Sequence, residues 1–267
     1  MRGGRVSAFG KLRATAGFIG FVQNWGAHYV ATHGSARPAR MTYVLRSGLQ
    51  LEARPRTLDV AVLKDVFFHR VYTPRGFEVE ANSVVFDIGA HVGAFAASAA
   101  RAAPGVTVYA FEPAPDNFAL LSSNMARNGL SNVRLAQCAV TGTGGLRQLH
   151  LADSPAEYSL HIVQPEAVQL PVSSITLAEI IERHAIKNID LLKMDCEGAE
   201  YEILEAAAAQ GALRLVSRVA MEAHVLDASR SPSRLVAILE AQGFHVRTGF
   251  ESDAASMIWA SRTYPSN

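Results

Sequence analysis

At 267 residues, with 49% hydrophobic and 18% charged side chains, the chain can bury one large core and is unlike a disordered segment. A net charge of +1 supplies no whole-molecule field for nucleic acid, and no apolar run reaches the ~18–20 residues of a membrane span. Two cysteines, Cys138 and Cys196, stand apart in apolar runs; without a CxxC pair they read as buried thiols of a reducing compartment, not as a metal or redox motif.

The charge is unevenly spread. Residues 1–56 carry nine Lys or Arg against one acid, Glu52, and the remainder is acidic. A solvated helix face accounts for such an arm; contact with an anionic lipid surface, a phosphate-bearing substrate or an acidic partner is the sharper reading. The apolar run 14–22 after early positive charges has the look of a signal peptide. Gln23, Asn24 and Trp25, however, stand where a small-residue cleavage site belongs, so a cytoplasmic protein with an amphipathic helix over 11–33 is expected.

A linker at 34–38 leads to strands at 41–45 and 50–53 around Ser47-Gly48, a hairpin. Apolar residues at 58, 60, 62, 63, 66 and 67 predict a helix over 58–68, followed by a turn-rich stretch at 71–76 that contains Tyr72. From residue 81 strands and helices alternate: strand 84–87, helix 93–103, strand 106–111, helix 115–128, strand 133–138. Such βαβ units specify a parallel sheet. The rhythm changes over 141–172, where short β-like runs at 148–151 and 159–163 predict an antiparallel flap. Helix 177–184, strand 189–194, helix 197–209, strand 213–221 and helix 231–242 follow, the last opened by Pro232 in its first turn. Runs 244–248 and 256–260 close the chain as a hairpin. The expected division is a helical extension at 1–40, a hairpin and helix at 41–80, and a ligand-binding domain at 81–267.

The chemistry gathers at strand ends. Strand 84–87 stops at Gly89-Ala90-His91-Val92-Gly93 before an alanine-rich helix. Strand, glycine turn and helix form the nucleotide site of open α/β sheets. The turn lacks G-x-G-x-x-G, so the dinucleotide fingerprint fails at its second glycine. Asp87, two residues before the first glycine, suits an ammonium or sulfonium ligand better than a pyrophosphate; a helix N-cap is its plain alternative. Glu112 ends the next strand, 19 residues after Gly93, close to the spacing of about 20 for an acid that accepts ribose hydroxyls. Pro113 breaks that strand, and Asn117 opens the helix side of the pocket. Cys138 and Ala139, after the third strand, fall where an adenine ring would be covered, although core packing explains them equally well. Tyr72 is grouped with the cofactor-binding residues.

Lys193 lies inside an apolar strand, a costly place for an ammonium without a partner. Asp195 and Glu197 follow at the strand's carboxyl end, where helix capping is the competing role. His224 ends the next strand as a candidate general base or as polar packing. Converging carboxylates and imidazole would also suit a divalent metal, which is not the expected reading.

Three blocks carry a resemblance: Val85 to Gly93, Phe111-Glu112-Pro113, and Leu192 to Glu200, a K-x-D-x-E-G-x-E pattern. Together they resemble the FkbM family of S-adenosylmethionine-dependent methyltransferases over roughly residues 43–224. The five parallel strands and terminal antiparallel pair fit the same reading. The resemblance implies a Rossmann-like class I methyltransferase fold with a seven-stranded, mostly parallel sheet. It further implies S-adenosylmethionine as cofactor, S-adenosylhomocysteine as product, and O-methylation of a hydroxyl on a sugar or natural product. Asp87, Gly89, Ala90, His91, Gly93 and Glu112 fall on cofactor positions, and asparagine is frequent in the family where this chain has His91. Asp195, Glu197, Lys193 and His224 are the candidate catalytic residues. The alternatives are a catalytically silent binding protein of the same fold and a nicotinamide-dependent oxidoreductase. The expected partner is a small-molecule or glycan acceptor, with peripheral membrane contact through the arm and oligomerisation left open.

Overall fold

The computed structural model describes residues 18–35, 37–162 and 166–263, with backbone alone at Phe250 and Glu251. Near the N-terminus, α1 spans Trp25–His33 and a hairpin pairs β1 (Met41–Val44) with β2 (Gln50–Ala53). Helix α2 (Asp59–Lys64) runs on into a wider π-helical turn, Asp65–His69. The central sheet is then built from β3 (Val84–Ile88), β4 (Thr107–Phe111), β5 (Val133–Ala136), β9 (Leu191–Met194), β10 (Arg218–His224), β11 (His245–Glu251) and β12 (Ala255–Ser261). Its order is β11-β12-β10-β9-β3-β4-β5. The five strands from β10 to β5 are parallel, and β12 runs antiparallel between β10 and β11. This is the α/β architecture expected from the alternating pattern, including the reversed last strand.

The unbroken apolar character of β3 follows from cover on both faces. Val85 faces α3 (Ala94–Ala100) and α4 (Pro115–Arg127), in a core shared with the hairpin and α2. Phe86 and Ile88 face the other core, formed with α5 (Leu177–Arg183), α6 (Glu200–Ala209) and α7 (Pro232–Ala241). The hairpin thus lies on the first layer and closes its open side over α4.

Between β5 and α5 the chain builds a second, three-stranded sheet from β6 (Ala139–Val140), β8 (Gln169–Ile175) and β7 (Gly145–His150), in that order. The expected flap is there, with different strands. Residues 159–162 form no strand: Ser159 makes only an isolated bridge to His150, while Val163 lies outside the described residues. The partner of β7 is instead β8, whose Pro171 opposes Gln148 where, among the described residues, the far edge of β8 has no strand partner and a missing N–H costs nothing.

Three other expectations are corrected. The N-terminal helix is not continuous: Val22 bridges to Leu45, and the Asn24 amide links Val44 N and Thr42 O before α1 begins; residues 11–17 lie outside the described part. The apolar run at 213–216 is a buried 3-10 turn, Ala212–Leu215, and β10 starts later and extends to His224. Helix α6 begins at Glu200, because Glu197 and Gly198 both adopt positive φ. All three shifts leave the carboxyl ends of β3, β4, β9 and β10 on one edge.

Candidate active site

One cavity at that edge is lined by Tyr72, Gly89, Ala90, His91, Glu112, Pro113, Asn117, Ala139, Lys193, Asp195 and Glu197. A second, outer cavity is lined by His150, His161, Ile162, Glu197, His224, Val225, Leu226 and Arg230, and Glu197 belongs to both. Asp87, Gly93 and Cys138 border neither. Cys138 packs, half-buried, against the core on the α5–α7 face. Gly93 faces α4, where a Cβ would come 2.6 Å from Leu121 Cδ1.

The glycine turn is shaped by its neighbours. At Gly89 (φ +73°) a Cβ would fall 1.8 Å from the carbonyl oxygen of Asp195, so the close approach of the chain after β3 to the chain after its neighbour β9 requires glycine there. Gly89 N and Ala90 N both donate to Phe111 O, and His91 N donates to Glu112 Oε2 at 2.8 Å. With those three amides turned inward, the turn offers no ring of free N–H groups of the kind that cradles a phosphate.

Glu112 is held from two sides. His91 N and Ala114 N donate to its two oxygens at 2.8 and 3.0 Å, and the Asn117 amide approaches Oε1 at 3.4 Å. Burial pushes its carboxyl above the ordinary range, while the His91 charge and these hydrogen bonds work the other way. Aimed by backbone donors, with lone pairs left over, it suits two vicinal hydroxyls. Around it Phe111, Val140, Leu149 and Leu160 provide apolar walls for a planar ring. This donor set fits the ribose and base of an adenosine.

Asp87 and Lys193 answer each other across the β3–β9 register, with Lys193 Nζ 3.0 Å from Asp87 Oδ1. Nζ also donates to Gly89 O at 2.7 Å and lies 5.2 Å from the Tyr72 ring centroid. Burial raises the Asp87 carboxyl and lowers the lysine, but Asp87 and Asp195 outweigh burial and hold Lys193 above its usual value. Asp87 is therefore matched by a fixed cation, and it also accepts from the Ala96 backbone in the first turn of α3.

On the other side of Lys193, Tyr72 OH donates to Asp195 Oδ2 at 2.7 Å. Glu197 sits in the left-handed region (φ +52°), a conformation costing about 1–2 kcal/mol for a residue with a Cβ. The Ser159 hydroxyl of the flap donates to the Glu197 carbonyl and fixes that turn. Glu200, wholly buried, accepts from Cys196 N and Gly198 N at 3.0 and 2.9 Å and takes His224 Nδ1 at 3.1 Å. His224 Nε2 lies 3.3 Å from Glu197 Oε2. Burial lowers the imidazole, yet Glu200, Glu197 and Asp195 together raise it to about 10, so it is a cation at neutral pH. Glu197 is raised to about 8, first by burial and then by Asp195, Glu200 and Glu222 against the pull of His224. Ligand atoms of Asp195, Glu197 and His224 fall within 4.8 Å of one another, a spacing at which the three could also hold a divalent cation.

Two groups of residues escaped sequence reading. The first is Arg54 with Asp59, which grip His91, Asp116 and Asn117. The second is Glu200 as the partner of His224. A buried acid at the start of a helix is legible as favourable to the helix dipole, but its long-range partner is not.

Comparison with known proteins decides the family. The Methyltransferase FkbM domain family matches residues 87–254. The chain belongs to the FkbM methyltransferase family. The cofactor that goes with this family is S-adenosylmethionine. Among relatives, 31-O-demethyl-FK506 methyltransferase FkbM of Streptomyces tacrolimicus is 32% identical over 213 residues, covering 68% of this chain and 80% of that one. Methyltransferase sdnD of Sordaria araneosa is 27% identical, covering 75% and 89%. Hexuronic acid methyltransferase AglP of Haloferax volcanii is 29% identical, covering 55% and 58%. A crystal structure of methyltransferase FkbM from Methylobacillus flagellatus aligns with a TM-score of 0.47 at 14% identity, covering 74% of this chain and 47% of that one. No helix among the described residues is long and apolar enough to cross a membrane.

Proposed function

We propose that this FkbM-family chain transfers a methyl group from S-adenosylmethionine to a hydroxyl oxygen of a sugar or natural-product acceptor. The observation that carries the reading is the disposition of acids in one cavity. Glu112, aimed by the amides of His91 and Ala114, lies at one end, and Asp195 and Glu197 at the other. When bound, the cofactor supplies a methyl group on a sulfonium, activated for transfer, and leaves as the neutral thioether S-adenosylhomocysteine. Glu112 would hold the ribose hydroxyls, and Asp195 would favour positive charge at the reacting end. Much of the rate would come from alignment of the reacting atoms.

The outer cavity supports an acceptor approach that meets the cofactor cavity at Glu197. There the acceptor O–H must lose its proton as the new O–C bond forms. His224, already an imidazolium, is a counter-charge in this reading, and Glu197, raised to about 8, already holds a proton at neutral pH, which leaves Asp195 to accept the proton. Lys193 steadies the strand ends on which both acids stand. The relative named for 31-O-demethyl-FK506 agrees with transfer to oxygen, and the relative named for a hexuronic acid agrees with a sugar acceptor.

The test is incubation of the full chain with methyl-labelled cofactor and host cell extract, followed by identification of the labelled product. Label in an O-methyl group of a small molecule or glycan is expected. Label on nitrogen, on protein or on nucleic acid, or no transfer at all, contradicts the proposal.

A further inference from the structure

The family match begins at Asp87, yet two charged residues well before it, Arg54 and Asp59, reach the wall of the cofactor cavity. We infer that Arg54 and Asp59 are positioning residues of the cofactor site, acting through Asn117 and His91 to set the Glu112 carboxylate. The inference rests on the S-adenosylmethionine reading above.

Arg54 follows β2 and turns its whole guanidinium inward. Its backbone N and Nε donate to Asp59 Oδ2 at 2.9 and 2.8 Å, Nη1 donates to Asp116 Oδ2 at 3.0 Å, and Nη2 donates to Asn117 Oδ1 at 2.6 Å. Because Oδ1 of Asn117 is claimed by Arg54, its amide nitrogen must face the other way, toward Pro155 O at 3.0 Å and Glu112 Oε1 at 3.4 Å. A reversed amide would set oxygen against the carboxylate. Asp59, fully buried, places its other oxygen 3.1 Å from His91 Nε2, which also lies 3.2 Å from Arg54 Nη2. That fixes the ring of a residue held at φ +52°, whose backbone N–H donates to Glu112 Oε2 at 2.8 Å. Both Glu112 oxygens are therefore steered by the same ion pair at one remove. For stability alone, well-packed apolar residues would serve as well as this buried pair. The fork geometry of the guanidinium is what a three-way grip requires, and a lysine ammonium cannot reproduce it.

The test compares S-adenosylhomocysteine binding by calorimetry, and steady-state methyl transfer, for the full chain and its variants. Arg54→Lys keeps the charge and Arg54→Ala removes it; both are expected to raise the Kd about tenfold or more. The cofactor KM should rise in step, kcat at saturating cofactor should stay within about twofold, and the acceptor KM should not move. Arg127→Ala breaks the hairpin's ion pair with Glu52, at 3.2 Å, away from the cavity, and should leave the Kd unchanged. Binding by Arg54→Lys within about twofold of the unaltered chain overturns the inference, as does equal weakening by Arg127→Ala. Absence of binding by the unaltered chain overturns the cofactor reading and this inference with it.

Discussion

At the residue scale, the buried pair Asp87–Lys193 separates structural from chemical charge. Its ions are 3.0 Å apart with side chains almost wholly enclosed. Lys193→Met should destabilise the fold by about 3–5 kcal/mol in urea titration, since Asp87 would be left uncompensated, while Asp87→Asn combined with Lys193→Met should recover part of that loss. A double variant no more stable than the single one would argue against pairing as the lysine's role. Sequence reading isolated Lys193 as anomalous in its strand and Asp87 as a strand-end acid. It placed Asp87 among the cofactor residues from its position before the glycines; the ion pair with Lys193 was not legible, because the two stand 106 residues apart and only the β3–β9 register brings them together. Glu112 stood out for the opposite reason: its position, the end of a strand beside a glycine turn, is a local feature of the sequence. Arg54 and Asp59 gave no signal, since isolated charges in a hairpin and a short helix read as solvated surface.

At the element scale, the two glycines of the turn differ in kind. Gly89→Ala would press a methyl into the Asp195 carbonyl at 1.8 Å, backbone against backbone, and should abolish stable folding. Gly93→Ala would meet Leu121 Cδ1 at 2.6 Å and Met125 Cε at 2.9 Å, flexible tips that can yield. It should cost about 1–3 kcal/mol, mainly for positive φ, and leave a folded protein by circular dichroism and thermal melting. Equal effects would refute this assignment. The alternation of strands and helices was readable because parallel strands covered on both faces are apolar throughout. The same property hid the 3-10 turn at 212–215, whose apolar run cannot be told from a strand by periodicity. Strand β8 was hidden by Pro171 and two serines, which it tolerates because, among the described residues, most of one edge has no strand partner.

At the scale of the whole molecule, one group links the N-terminal hairpin to the domain and sets part of its acid stability. Burial pushes the Asp59 carboxyl up, but the bonds from His91 and Arg54 outweigh it and hold the group well below the usual carboxylate range. A depressed folded pKa contributes stability above the unfolded value of about 3.9, and that stability is lost as pH falls through it toward the folded value. Unfolding titrations should show stability dropping below about pH 4, with a shallower drop and lower neutral-pH stability for Asp59→Asn. The same slope in both proteins would mean that Asp59 is not the group concerned. The sheet order was foreseeable from the element order, whereas the docking of the hairpin on α4 and the cavity wall was not, because it depends on packing between distant segments.

The central claim is that the cavity holds S-adenosylmethionine with Glu112 on its ribose. Calorimetric titration of the full chain, and of Glu112→Ala, with S-adenosylmethionine tests it most directly. One cofactor per chain, with affinity at least about tenfold weaker in the variant, is the predicted result. No binding by the unaltered chain, or equal binding by both, would contradict it.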